Sequence, residues 1–168
     1  MERPNRKQNR LSEYCYGQTG SYFVTICTQN RAGLFAMEPT ADDETGAFSE
    51  MPLQNQILHR WIRETQNKYP GIRIENYVIM PDHLHMIVTI GEEHDGCTLP
   101  DVIRFFKTMS TNEYIRAVKD GFLPRFQGKI WQKSYYDHVI RNQADYNEIW
   151  EYVQNNPDKW LLLHSPDV

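Results

Sequence analysis

The chain has 168 residues and a net charge of −4, and 40% of its residues are hydrophobic. This length and composition predict one globular domain, residues 1–168, large enough to bury a core without disulfides. No apolar run approaches the ~20 residues that a membrane span needs, and no hydrophobic segment opens the chain, so we expect neither a membrane protein nor a secreted one. The three cysteines lack metal-ligand spacing, which favours reduced thiols and a cytoplasmic location.

The N-terminal part predicts one strand between two charged segments. Residues 1–10 are polar and basic, and we expect a flexible tail there. Tyr22–Thr28 is β-branched and aromatic, which is typical of a strand, and a turn follows at Asn30–Leu34. Residues 38–50 then carry five acidic side chains and no basic one, which predicts a solvated acidic loop.

The middle of the chain predicts a helix and then a pair of strands. Apolar residues recur at helical spacing over about Leu53–Lys68, and a Pro-Gly pair breaks the helix. Two buried-strand patterns follow, at Arg73–Ile79 and His83–Ile90. Because the link between them is short, we expect the two strands to be antiparallel.

The C-terminal part predicts a helix, a strand and a final helix. The first helix covers about Leu99–Val118, the strand covers Trp131–Ile140, and Asn142 caps the final helix at Gln143–Asn155. The order of elements along the whole chain predicts an α+β fold. In such a fold, one ferredoxin-like antiparallel sheet has helices packed on it.

Two histidines lie one residue apart at the start of a predicted strand. Side chains at i and i+2 of a strand point to the same face, so His83 and His85 project together. Two imidazoles that converge on one point are typical of a divalent metal site. Short motifs also arise by chance, and a polar sheet face is the alternative interpretation.

The final helix presents a tyrosine away from its apolar side. At ~100° per residue, Tyr152 lies roughly 110° from the middle of the apolar stripe and shares its side with Asn156. Such a tyrosine is a candidate nucleophile, although amphipathic surface tyrosines are common. Pro157 disfavours helical geometry before it, so Asn156 is alternatively a terminal cap. The stripe itself consists of Tyr146, Ile149, Trp150 and Val153.

A basic segment, residues 104–133, holds seven basic and two acidic side chains. It is either a phosphate-binding surface or a solvated helix face. Trp131 and Tyr135 are aromatic candidates for stacking on exposed bases, and Trp131 is equally suited to a core. Tyr136 and His138 share one strand face and are expected either to approach the histidines or to pack as polar strand residues. The candidate phosphate contacts are Arg104, Lys107, Lys129 and Lys133.

Three segments together resemble a known family. Asn76–His85, Ile130–Gln132 and Tyr152–Pro157 occur in this order, and the chain resembles the HUH single-tyrosine transposases from about Leu11 to Trp160. The REP-associated branch is the most similar. The resemblance implies an HUH endonuclease fold and an enzyme that cuts and rejoins single-stranded DNA beside imperfect hairpins. It also favours a monomer over a homodimer.

The resemblance further implies a role for each site residue. Tyr152 would attack the DNA, form a 5′-phosphotyrosine and release a 3′-hydroxyl. His83 and His85 would hold Mg²⁺ or Mn²⁺, and Asn156 stands where relatives commonly have a glutamine ligand. Asparagine is one methylene shorter, so a water-bridged contact or a ligand from Glu148 is the alternative.

Two other functions fit parts of the sequence. A domesticated regulator that binds hairpin DNA without cutting would explain the asparagine at position 156 and the acidic surface. A histidine-dependent nucleotide hydrolase would share the alternating histidines. That class typically has a third alternate histidine, where this chain has Ile87.

Overall fold

In the computed structural model, residues 17–37 and 51–164 are described, and they form one sheet with helices. The expected tail 1–10 and acidic loop 38–50 lie outside the described residues. The sheet has the order β2-β3-β1-β4, and every neighbouring pair is antiparallel. Its strands are β1 Gly20–Cys27, β2 Ile72–Met80, β3 His83–Ile90 and β4 Tyr136–Ile140.

Four α-helices accompany this sheet. They are α1 Leu53–Lys68, α2 Leu99–Lys119, α3 Gln143–Gln154 and α4 Asn156–His164, and a short 3-10 turn covers Gln29–Arg31. The chain order strand, helix, strand, strand, helix, strand with this sheet order is the ferredoxin-like α+β arrangement, which confirms the predicted fold class. No helix in the described ranges is long and apolar enough to cross a membrane.

The two faces of the sheet are covered differently. Along β3, the buried side chains of Leu84, Met86 and Val88 join the main core under α1 and α2, whereas His83 and His85 alternate with them and face the other side. A smaller apolar cluster on that other side includes Val78, Met80 and Val153, below α3.

A bulge in β2 lets one strand serve both faces. The register against β3 shifts between Ile74 and Asn76. Ile74 belongs to the main core, whereas Val78 and Met80, which are also even-numbered, pack in the cluster below α3. The extra residue therefore turns the second half of β2 over, and Asn76 comes to face α3.

The helix starts follow their sequence signals. Thr98 and Asp101 form a capping box at the start of α2, with a proline in the first turn. Asn142 caps α3 as predicted, since its side chain accepts a hydrogen bond of 2.9 Å from the backbone N–H of Asp145. Cap chemistry is local, and it is therefore readable from sequence.

One predicted boundary is wrong, and one helix was not predicted. The strand predicted at Trp131–Ile140 begins only at Tyr136, and Trp131 makes a single isolated bridge to Thr28. The final predicted helix ends at Gln154, within one residue of its predicted end, but a further helix, α4, follows it, and Pro157 lies in the first turn of α4, where its missing N–H is not needed. Of the predicted apolar stripe on α3, only Val153 is fully buried.

Candidate active site

The paired histidines lie at the start of β3, on the face below α3. Their ring centroids are 4.6 Å apart and the ring planes cross at 74°. His85 is 6% exposed, because Phe23 from β1 stacks on it with a centroid distance of 5.2 Å. The alternation of the strand therefore places both imidazoles in one half-buried patch, as predicted.

A neighbouring group holds one nitrogen of each imidazole. Nδ1 of His85 is 2.8 Å from the Thr25 hydroxyl, which lies directly across from it on β1. Nδ1 of His83 is 2.6 Å from a carboxylate oxygen of Asp82. Contacts of this kind fix the orientation of a histidine ring and leave its Nε2 available as a ligand atom.

The imidazoles are held in their neutral form. Burial lowers the pKa of His83, although the hydrogen bond to Asp82 opposes this effect. Burial and the neighbouring His83 lower the pKa of His85 to about 3. A neutral imidazole is the form that binds metals, so the protonation states suit the predicted role.

The predicted nucleophile lies beside these rings. The ring of Tyr152 on α3 meets that of His85 edge-on at 5.5 Å and that of Phe23 at 5.9 Å. Tyr152 is 40% exposed, so its phenol is open to a substrate. On α4, Lys159 places its ammonium 5.4 Å from the Tyr152 ring centroid.

Asn76 ties α3 to the sheet near the site. Its side-chain amide donates to the carbonyl of Trp150 at 3.4 Å, and its oxygen accepts from Gln154 at 3.3 Å. Since these contacts lie on either side of Tyr152 in the helix, they help to fix the height of the phenol above the histidines.

Asn156 and Glu148 are the two candidates for a third metal ligand. Asn156 is 7% exposed at the first residue of α4, and Glu148 is exposed on α3. Among residues 17–37 and 51–164, no group of three or more His, Cys, Asp and Glu side chains is arranged to hold a metal ion. The two imidazoles alone fit a divalent ion that takes its other ligands from amide, water or substrate oxygens.

Other tyrosines are placed differently. The hydroxyl of Tyr146 donates to Glu75 at 2.9 Å, and burial with this contact raises its pKa to about 12. Tyr136 on β4 lies opposite Thr25 and is exposed on the same sheet face as His85. His138 is on that face too, where Asp145 pairs with it at 3.0 Å. Tyr136 is thus an exposed aromatic residue on the sheet face of the histidines, with Thr25 between it and His85.

The predicted DNA contacts share one groove on another part of the molecule. This cavity of about 680 Å³ lies between α2 and the segment before β4, and α2 packs on the sheet face opposite the histidines. Its lining includes Arg104, Lys107, Lys129, Lys133, Trp131 and Tyr135.

These groove residues are not equivalent. Lys129 and Lys133 are exposed, and Arg104 is paired with Asp101. Lys107 donates to the backbone carbonyls of residues 132 and 134 at 2.8 and 3.0 Å, so it holds the segment before β4 in place. Trp131 is buried, and its indole N–H donates to Ser110 at 3.1 Å. Its ring therefore belongs to the core.

Sequence reasoning missed Thr25, Phe23 and Asp82 as site residues. Thr25 and Phe23 reach His85 only through the register of β1 on β3, and a register is not written in either strand alone. Asp82 precedes His83 directly, and a carboxylate next to a metal-binding histidine is a signal that was available.

Comparison with known proteins adds the family context. The family model described as "Transposase IS200 like" matches residues 18–156. An uncharacterised protein of Haemophilus influenzae is 31% identical over 93% of this chain and 90% of its own length. The REP-associated tyrosine transposase of Escherichia coli K12 is 26% identical, over 89% of this chain and 74% of its own.

Solved structures agree with this result. A REP-associated tyrosine transposase, determined with a bound REP hairpin, has a TM-score of 0.62 and 26% identity over 89% of this chain and 74% of its own. A crystal structure of a protein from Deinococcus radiodurans has a TM-score of 0.51 at 18% identity, over 87% of this chain and 95% of that one. The latter likeness concerns the fold alone.

Proposed function

The chain belongs to the IS200-like transposase family and is a transposase, and we propose that it cuts and rejoins single-stranded DNA beside imperfect hairpins through Tyr152. The observation that carries this proposal is the distance of 5.5 Å between the rings of Tyr152 and His85. The proposed nucleophile and a pair of neutral imidazoles from separate elements thus share one half-buried patch.

In the proposed reaction, the phenol oxygen of Tyr152 attacks a phosphodiester in line. The new bond joins this oxygen to phosphorus, and the bond from phosphorus to the 3′-oxygen breaks. The phenol loses its proton, and the leaving 3′-oxygen takes up a proton to become a hydroxyl. Because the 5′-phosphotyrosine keeps the energy of the phosphodiester, another 3′-hydroxyl can reverse the step without a nucleotide cofactor.

His83 and His85 would hold Mg²⁺ or Mn²⁺, with Asn156 as the proposed third ligand. The fit rests on Nδ1 of each ring, which is held by Asp82 or Thr25. When bound, the ion supplies Lewis acidity towards a phosphate oxygen. Both ions favour oxygen ligands, which Asn156, water and the phosphate would supply beside the two imidazoles.

We propose hairpin DNA as the partner and the basic groove beside α2 as its contact surface. A REP-associated tyrosine transposase with 26% identity was solved with a REP hairpin. In this chain Lys129 and Lys133 are exposed at the groove, and Arg104 adds a third cation. Tyr136, on the sheet face of the histidines, offers an exposed ring on which an unpaired base can stack.

We further propose that the protein works as a monomer, in the cytoplasm with its DNA substrate. Tyr152 and both histidines come together within one copy of the chain. A site that is complete in one chain does not need a tyrosine helix from a second copy.

One experiment separates the transposase from a non-cleaving DNA-binding regulator. Purified protein is incubated with Mn²⁺ and a 3′-labelled single strand that contains a REP-type imperfect hairpin, and the products are run on a denaturing gel. A protein band that carries the label, together with an unlabelled shortened strand that staining reveals, supports cutting through a 5′-phosphotyrosine, and a chelator should remove both. Tight hairpin binding without either product would support the regulator.

A further inference from the structure

The turn after β1 holds an arginine in an unusual backbone conformation next to the histidines. Asn30 and Arg31 both have positive φ, at 56° and 54°. Asparagine tolerates this region, but for a residue with a long side chain it is uncommon and carries strain. Strain of this kind persists only where surrounding contacts enforce it, and it is concentrated at functional sites.

Backbone hydrogen bonds enforce this turn. The N–H of Thr28 donates to the carbonyl of Asp82 at 2.9 Å, and the N–H of Leu34 donates to the carbonyl of Pro81 at 3.0 Å. The Thr28 hydroxyl also donates to the carbonyl of Ala32 at 2.8 Å. The turn is therefore fastened on both sides to the short link that precedes His83.

These hydrogen bonds place the guanidinium of Arg31 at the edge of the site. Nη1 of Arg31 is 3.5 Å from one carboxylate oxygen of Asp82, and the other oxygen of Asp82 holds His83. The contact is long, and the side chain of Arg31 is 54% exposed. A guanidinium has five N–H donors in a planar fork, so most of them remain directed towards solvent.

We propose that Arg31 is a catalytic residue that binds the phosphodiester presented to Tyr152. Phosphate is the partner that a planar fork of donors matches, because two parallel N–H groups reach two phosphate oxygens. A guanidinium fixed in advance also stabilises the negative charge that builds up on phosphorus during attack. This proposal rests on the proposed function, because it names a further residue of the same site.

The competing explanation is purely structural. In that case Arg31 only neutralises Asp82, and its loss would disturb His83 and the bound metal. The two roles differ in one property. Only a phosphate-binding Arg31 makes the affinity for a dinucleotide depend on the charge of its phosphodiester.

The test measures binding to the dinucleotide TpT and to its uncharged methylphosphonate analogue. Both are titrated by NMR into Tyr152→Phe protein in the presence of a chelator, so that no bond is broken and no metal ion contributes to the preference for charge. We expect the protein with Arg31 intact to prefer TpT by about tenfold, as for a hydrogen bond to a charged group. Arg31→Ala should lose this preference and Arg31→Lys should keep part of it. Arg31→Gly, which relieves the positive φ, should behave like Arg31→Ala in a fold without strain.

Cleavage gives a second readout with a matched control. In the background with Tyr152 intact, Arg31→Ala should slow single-turnover cleavage of the hairpin strand roughly 100-fold. Its hairpin affinity and Mn²⁺ affinity should stay within about twofold, because the ion pair of Arg31 with Asp82 is long and exposed, and such pairs contribute little. The control is Arg63→Ala, an exposed arginine on α1, which should leave cleavage unchanged.

The outcomes separate this proposal from the proposed function. If unmodified protein cuts DNA but Arg31→Ala retains both its rate and the preference for TpT, the role of Arg31 is refuted and the transposase activity stands. If unmodified protein does not cut but the preference for TpT disappears in Arg31→Ala, phosphate binding stands without the cutting reaction. Loss of Mn²⁺ affinity with an intact preference for TpT would assign Arg31 to the structural role.

Discussion

The two faces of the sheet show how one strand serves stability and chemistry at once. On the face below α1 and α2, Leu84 and Met86 of β3 are almost completely buried in a continuous apolar core. On the other face, His83 and His85 alternate with them, and the ring of His85 contacts that of Tyr152. The core face fixes the backbone of β3, so the site face can keep two desolvated imidazoles in place.

This contrast predicts that substitutions on the two faces have different consequences. Changes on the core face should lower the free energy of unfolding and leave the chemistry of the remaining folded molecules intact. Changes on the site face should remove chemistry at a smaller cost in stability. The following predictions run from the largest expected effect to the smallest.

The largest effect is expected for His85→Ala on the site face. Without this imidazole, Mn²⁺ loses half of its proposed protein nitrogen ligands, and cleavage should fall at least ~1000-fold, as for a catalytic group in other enzymes. Single-turnover cleavage and Mn²⁺ titration check this. His94→Ala in the loop after β3 is the control and should cut like the unmodified protein. If His85→Ala cuts at the normal rate, or if the unmodified protein cuts in the presence of a chelator, the reaction does not depend on a metal ion held by the histidines.

The next effect concerns Met86→Ala, one residue away on the core face. Removal of a buried methionine side chain should lower the free energy of unfolding by about 2–5 kcal/mol, because it leaves a cavity. Denaturant unfolding measures this change, and cleavage per folded molecule should be normal. A variant that is stable but inactive would show that the two faces are not separable.

A smaller effect is expected for Thr25→Val, which removes the hydroxyl at Nδ1 of His85 without changing the shape of the side chain. Loss of such an orienting contact typically lowers metal affinity about 10- to 100-fold. Calorimetric titration with Mn²⁺ checks the affinity, and saturating Mn²⁺ should restore most of the cleavage rate. The matched control is Thr89→Val, whose hydroxyl bonds to Ser21 at the other end of the same strand pair. Equal Mn²⁺ affinity in the two variants would show that the hydroxyl does not orient His85.

The smallest effect is expected in the groove beside α2, where Lys129→Ala and Lys133→Ala are combined. Each lost phosphate contact should reduce the slope of log affinity against log salt by about 0.7 to 0.9. Hairpin affinity measured over a salt series checks this, with Arg63→Ala on α1 as the control. If the slope does not change, the hairpin does not use this groove.

The parts that sequence predicts well are those with a local cause. The apolar period of α1 gave its bounds, Leu53–Lys68, and the alternation in β3 gave His83–Ile90. The same alternation placed both histidines on one face. The ferredoxin-like order followed, because few topologies accommodate this sequence of elements.

What sequence did not predict depends on contacts between distant segments. The Thr25 contact to His85 needs the register of β1 on β3, and the bulge in β2 decides which side Asn76 faces. The helix α4 was not predicted, because a proline that breaks one helix and a proline that opens the next look alike in sequence. Trp131 combined an aromatic ring with basic neighbours, but its burial is decided by Phe35 and Ser110.

The central claim is that the phenol of α3 is the nucleophile, and one measurement tests it most directly. The protein is incubated with Mn²⁺ and a hairpin strand, and the covalent protein–DNA adduct is digested. Mass spectrometry then locates the residue that carries the nucleotide. We predict that this residue is Tyr152, and that Tyr152→Phe forms no adduct while its hairpin affinity stays unchanged. Tyr146→Phe, which loses only the hydrogen bond to Glu75, should form the adduct normally. An adduct on any other residue, or cutting by Tyr152→Phe, would contradict the claim.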